Sequence, residues 1–224
     1  MDSEKQLIIG YAGSLSSFDP IKDVNGKNWL KEIFWIYRVD NVDFNTRSGY
    51  YLFKGIQIGI NKKLFHEEEI RLHLWGMIDE ANQMQAEKMG LGKIVQIDGY
   101  LPKLKTQERV INCDLVFLPL ECGKNGKPTL FVTGKVYEYL KLRKPVLCLT
   151  TGGDCAGILQ SSGLGILLSP YDPVAIAEKL AELLRMKKEN RFNFVADESF
   201  IAQFDFRELT AKLAEIFDKV LDNS

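Results

Sequence analysis

Cysteine and histidine are scarce in this 224-residue chain, with four of the first and two of the second. Cys113, Cys122, Cys148 and Cys155 contain no CxxC pair, and Cys113 and Cys148 sit beside or within apolar runs. Buried free thiols are therefore expected in place of a disulfide framework or a thiolate metal site. His66 and His73 read as surface or core residues, not as ligands or general bases. The chain also lacks net charge, with 29 Lys and Arg against 30 Asp and Glu. That balance excludes an overall positive field for gathering nucleic-acid phosphates or anionic lipid, while leaving room for a local basic cleft. No long hydrophobic run is present. The opening MDSEKQLIIGYAG has acidic residues where a signal peptide needs basic ones, and its apolar stretch is too short to span a bilayer. A cytoplasmic chain with no transmembrane segment is expected. Repeats, low-complexity tracts and Pro/Ser-rich linkers are missing too, so residues 1–224 read as one domain.

What is present is a regular alternation. Short β-rich apolar runs occur at LIIGYAG (7–13), RLHLWG (71–76), IVQIDG (94–99), LVFLPL (115–120), PVLCLT (145–150) and GILLS (165–169). From about residue 70 they are separated by helical patterns, the signature of an α/β fold with a parallel sheet of about six strands and helices on both faces. Among the helices, Asp172 caps, Pro173 takes the first position, and Val174, Ala177, Leu180, Ala181 and Leu184 recur at helical spacing. Asp205 and Glu208 have the spacing of a capping box before Leu209, Leu213, Ile216, Phe217 and Val220, which predicts an amphipathic terminal helix at about 206–221. Trp29 to Tyr37 has helical content and residues 40–48 read as loop. YYLFKGIQIGI (50–60) fits a strand or a helix, with the helix preferred.

In an open parallel sheet, ligands sit beyond the carboxyl ends of the strands, where helices begin and present unpaired N–H groups. Four loops occupy such places. Gly10 to Ser17 reads as a small-residue turn leaving the first strand, whose close-approaching glycine backbone, exposed amides and Ser hydroxyls suit phosphate oxygens or simply make a tight turn. Gly99-Tyr100-Leu101-Pro102 ends another strand. There the main chain at Leu101 can pair with a nucleobase edge while Tyr100 flanks it, or the segment is an ordinary strand-to-helix turn. Thr133-Gly134-Lys135-Val136-Tyr137-Glu138-Tyr139-Leu140 is the most informative. Lys135 falls in the first turn of a helix entered through Gly134, where ammonium and helix N-terminus both face a diphosphate. Glu138, one turn later, can accept from two vicinal ribose hydroxyls. On spacing alone, a Lys and a Glu three apart on a surface helix are usually just an ion pair. Thr151-Gly152-Gly153-Asp154 reads as a turn that meets a ligand or caps a helix through Asp154.

Taken in order, the glycine-containing segment after the first strand, GYLP, NCDLVFLPL, TGKVYEYLKLRKPVL, GGDCAGIL, GLGILLSP and DPVAIAEKLAELL resemble the carboxyl-terminal domain of GT-B glycosyltransferases. The similarity is greatest to retaining enzymes of family 4, and the ordered match covers most of residues 94–186. The resemblance implies a Rossmann-like half of a GT-B fold that binds a UDP- or GDP-sugar for transfer of a hexose. It implies Glu138 on the ribose, Lys135 with Thr133 and Gly134 near the diphosphate, Tyr100 and Leu101 against the base, and Gly13 and Ser14 against phosphate. Arg47 matches an arginine that follows a long loop in some relatives. Neither cofactor nor metal is implied, and no catalytic residue is assigned.

Two departures accompany the resemblance. Many family 4 enzymes carry a second glutamate eight positions before the ribose-binding one, where this chain has Leu130. An Arg and a Lys also often follow the first glycine turn, whereas Ser14, Leu15, Ser16 and Ser17 stand here, with Lys22 or Lys27 as substitutes. Because the chain starts almost on the first strand of the second GT-B domain, the acceptor domain is expected to be absent. The isolated chain is then expected to bind donor without turning over, its partner being the missing domain or a separate subunit. Peripheral membrane association of the full-length enzyme is compatible with this. A noncatalytic degenerate donor domain acting as a partner subunit and a nucleotide-sugar epimerase-like enzyme are the alternatives.

Overall fold

The computed structural model describes residues 6–15, 42–123, 126–128 and 131–222. The helical content expected at Trp29–Tyr37 and the residues Lys22, Lys27, Ser16, Ser17 and Leu130 lie outside them. Six strands make one parallel sheet: β1 (Leu7–Leu15), β3 (Ile70–Ile78), β4 (Val95–Gly99), β5 (Leu115–Pro119), β7 (Val146–Leu149) and β8 (Gly165–Leu168). Their spatial order is β4-β3-β1-β5-β7-β8. Each strand coincides with one apolar run, and those runs are continuous because both faces are covered. In β7 all four residues are buried.

The helices are α1 (Tyr50–Asn61), α2 (Glu80–Lys88), α3 (Lys103–Ile111), α4 (Gly134–Lys141), α5 (Asp154–Ser161), α6 (Pro173–Lys188), α7 (Glu198–Ala202) and α8 (Phe206–Asp222). One face of the sheet packs Ile9, Leu72, Leu74, Phe117 and Leu147 against Leu52 and Ile56 of α1 and Ile176 and Leu180 of α6. The other packs Val116, Leu118 and Cys148 against Val136, Tyr139 and Leu140 of α4 and Leu159 of α5. Residues 50–60 are therefore helical, since Leu52, Phe53 and Ile56 point one way at helical spacing and are fully buried. All four cysteines are buried and unpaired.

Details at helix ends and faces depart from the sequence pattern. On α6 the Asp172 carboxylate accepts from Ala175 N at 2.9 Å as expected. Its buried stripe is Ile176, Ala177, Leu180, Leu183 and Leu184, however, and Val174 is exposed. Gly153, with φ 92°, caps α5, so Asp154 is its first residue and not its cap. Asp205 accepts from Arg207 N at 2.8 Å at the start of α8. Leu209, Leu213, Ile216, Phe217 and Val220 on that helix are all exposed. β2 (Val42–Asp43) and β6 (Cys122–Gly123) form a small antiparallel ladder too short for any periodicity to announce. No helix among the described residues is long and apolar enough to cross a membrane.

Candidate functional site

The chain runs from β1 through β3 to β4 on one side of β1, then returns to β5 on the other side and moves outward through β7 and β8. Its direction reverses between β1 and β5. The crevice at their carboxyl ends is the topological switch point, where sheets of this kind place ligands.

Gly13 and Ser14 are not in a turn as their small-residue setting suggests; they remain in β1. The ladder with β3 continues through Gly13 and Gly76, Ser14 and Met77, and Leu15 and Ile78. Burial of Leu15 and a bond of 3.2 Å from the fully buried Asn82 Nδ2 to Leu15 O hold the strand straight to that point. Gly13 has φ 144° and Gly76 has φ 115°. A Cβ on Gly76 would overlap Gly13 O, and one on Gly13 would overlap Cε and Nζ of Lys135. The paired glycines thus open a hollow in the sheet edge, and the Lys135 side chain fills it.

Lys135 reaches this place because α4 starts beside it. Thr133 is the N-cap, its hydroxyl 3.5 Å from Lys135 N, and Gly134 opens the helix. Tyr139, buried on the same helix, accepts from Ala12 N at 3.3 Å and ties α4 to the end of β1. Tyr11 donates to Ser14 O at 2.5 Å, and its ring centroid lies 5.6 Å from Lys135 Nζ. Burial lowers the pKa of Lys135; the Glu138 carboxylate opposes that shift and the Arg47 guanidinium adds to it. Among the described residues no carboxylate is within ion-pair distance of Lys135. Lys135 and Glu138 are therefore not the plain surface ion pair that their spacing permits. Glu138 is exposed, one turn further along α4.

Arg47 joins this cluster, although its position in sequence is remote. Two buried polar residues flank it. Thr46 donates to Asp43 O at 2.6 Å and accepts from Cys122 N at 3.0 Å, while Ser48 donates to Asn45 O at 2.8 Å. Asn82 Oδ1 accepts from Gly49 N at 2.8 Å. So anchored, Arg47 faces Glu121, the first residue but one beyond β5, with NH1 3.2 Å from Oε2. Periodicity is blind to such a loop, because its fastenings are polar, single and far apart in sequence.

The remaining sequence candidates lie elsewhere on the same edge. Tyr100, 80% exposed, and Leu101, packed partly against the core, follow β4, two strands from β1. Thr150 bonds in both directions with Gly152, making the 151–154 loop a self-closed turn. A hollow of about 150 Å³ between α2 and β4, lined by Gln83, Ala86, Glu87, Gly92, Val95 and Ile97, has a carboxylate and no cation. It is a poor place for a phosphate.

This fold and its switch-point crevice define the Rossmann-like half of a GT-B architecture. Residues 45–186 match the family described as Glycosyl transferases group 1, and the chain belongs to it. Among solved structures it is similar to a glycosyltransferase from Rickettsia africae, with TM-score 0.57 and 14% identity over 98% of this chain and 49% of that one. HepE of Anabaena in complex with UDP matches with TM-score 0.56 and 15% identity over 96% of this chain and 49% of that one. A TarM mutant of S. aureus, solved with UDP among its ligands, matches with TM-score 0.56 and 12% identity over 95% and 36%. The chain thus spans about half or less of these proteins' length. At such identities the likeness concerns the fold. No curated protein matches the chain.

Proposed function

We propose that this chain is the donor-binding half of a retaining hexosyltransferase resembling family 4, and that it holds a UDP- or GDP-sugar in the crevice between β1 and β5. The observation that carries the reading is Lys135, partly desolvated, with no carboxylate within ion-pair distance among the described residues, laid over Gly13 at the topological switch point. A partly desolvated cation is costly unless an anion arrives to share the site. Structures solved with UDP share the fold, which supports a nucleoside diphosphate as that anion.

In this reading the ribose hydroxyls donate to Glu138, and the diphosphate lies against Lys135, Ser14 and the N–H groups opening α4 at Gly134. The base reaches Tyr100 and Leu101. Lys135, Arg47 and the helix N-terminus offset charge on the departing diphosphate without a metal. Calorimetric titration with UDP, GDP and their sugars tests this. Heat of binding that Glu138→Ala abolishes is expected, and no binding of any nucleotide contradicts it. Because α8 leaves its apolar residues exposed, a second reading is a donor domain working with a separate acceptor-domain subunit. An uninterrupted upstream reading frame encoding that domain would oppose the second reading.

A further inference from the structure

We propose that Glu121 gives the site a preference for an intact nucleotide-sugar over the spent nucleoside diphosphate. This rests on the donor-site reading above. Glu121 is set just beyond β5, and the chain is pinned on either side of it. Leu120 N donates to Leu149 O at 3.0 Å, and Cys122 N donates to Thr46 Oγ1 at 3.0 Å. The same Thr46 precedes Arg47, so one bond holds both members of the Arg47–Glu121 pair in register, 3.2 Å apart.

The order of groups along the crevice follows from the fold. Glu138 is one turn into α4, Lys135 lies at the start of that helix over Gly13 of β1, and the Arg47–Glu121 pair stands over the end of the neighbouring β5. A donor whose ribose meets Glu138 and whose first phosphate meets Lys135 brings its second phosphate to Arg47. Glu121 is already there.

Charge then separates the two ligands. In a nucleotide-sugar the second phosphate is a diester with one negative charge. In the free diphosphate it is a terminal phosphate with a second pKa of about 6, carrying close to two charges at neutral pH. A carboxylate about 6 Å away repels that extra charge by a factor of about 10, taken between bulk water and a partly desolvated surface. The sugar-bearing donor escapes this penalty, and the product left after transfer meets it. Glu121 thus favours loading with donor and release of the nucleoside diphosphate.

The test is calorimetric titration of the full chain and of Glu121→Gln with UDP and UDP-glucose, repeated with GDP and GDP-mannose. The amide keeps the shape and removes the charge. Both ligands are expected to bind the variant more tightly, and the ratio of free-diphosphate to nucleotide-sugar affinity should shift about 10-fold toward the free diphosphate. The gap should close at pH 5, where the terminal phosphate has lost its second charge, and narrow in high salt. An equal change for both ligands, or weaker diphosphate binding, overturns the proposal, because Glu121 would then act only by holding Arg47. A wild-type chain that binds no nucleotide refutes the donor-site reading itself, whereas wild-type binding with an unaltered preference in the variant refutes the role of Glu121 alone.

Discussion

The two ends of the sheet treat lysine in opposite ways. At the amino ends of β1 and β5, Lys187 donates to Asp114 Oδ2 and to Gln6 O, both at 2.6 Å, and Asp114 also accepts from Ile8 N at 2.7 Å. Nearby Lys144 donates to Cys113 O at 2.6 Å. The Lys187 ammonium is thus ion-paired and ties β1 to β5 and α6, while Lys144 bonds a carbonyl and has its pKa lowered by burial. At the carboxyl ends, Lys135 is half-buried near a second cation, with no carboxylate among the described residues within ion-pair distance. One end closes its electrostatics to hold the fold, while the other, in the proposed reading, leaves them open for a ligand. Stability and binding should therefore separate on mutation.

The largest break is expected at the closed end. Asp114→Ala removes the carboxylate partner of a partly buried ammonium and the acceptor of the Ile8 amide together, and should cost about 3 kcal/mol in urea denaturation while leaving UDP affinity unchanged. At the open end, Lys135→Met should weaken UDP binding about 100-fold by calorimetry, with unfolding free energy unchanged or raised, since a desolvated charge is replaced by an apolar chain of similar length. Gly13→Ala lies between these behaviours. Its φ of 144° and the overlap with Lys135 should cost about 1–2 kcal/mol and about 10-fold in UDP affinity together.

The smallest effect is in pH. Folding lowers the pKa of Lys135 below its unfolded value, so the folded state sheds that proton first. Stability should then rise as pH climbs through the window between the lowered value and the ordinary one, by linkage. A bound diphosphate favours the ammonium, so UDP affinity should fall across the same window and binding should take up a proton. Titration in buffers of different ionisation enthalpy reads that uptake directly. Lys135→Met should abolish it.

The strands were legible because a parallel sheet buried on both faces writes itself as uninterrupted apolar runs, and β5 and β7 show this best. α6 was legible from Asp172 and Pro173, although its stripe is rotated away from Val174. The positions of Lys135 and Glu138 in the first turns of α4 were legible because helix entry and spacing are local. Gly13 was found for an incomplete reason, as a flexible turn, when its function in the fold is to leave room for Lys135 across 122 positions of chain. The placement of Arg47 against Glu121 was out of reach. It depends on Thr46, Ser48 and Asn82, buried polar residues whose partners lie up to 76 positions away, and no pattern of hydrophobicity encodes such pairings.

The most direct test of the central claim is a crystal structure of the full chain with UDP. Ribose oxygens within hydrogen-bond distance of Glu138 and a diphosphate against Lys135 Nζ and the amides opening α4 are predicted. Nucleotide bound elsewhere, with Lys135 still filling the Gly13 hollow, would contradict it.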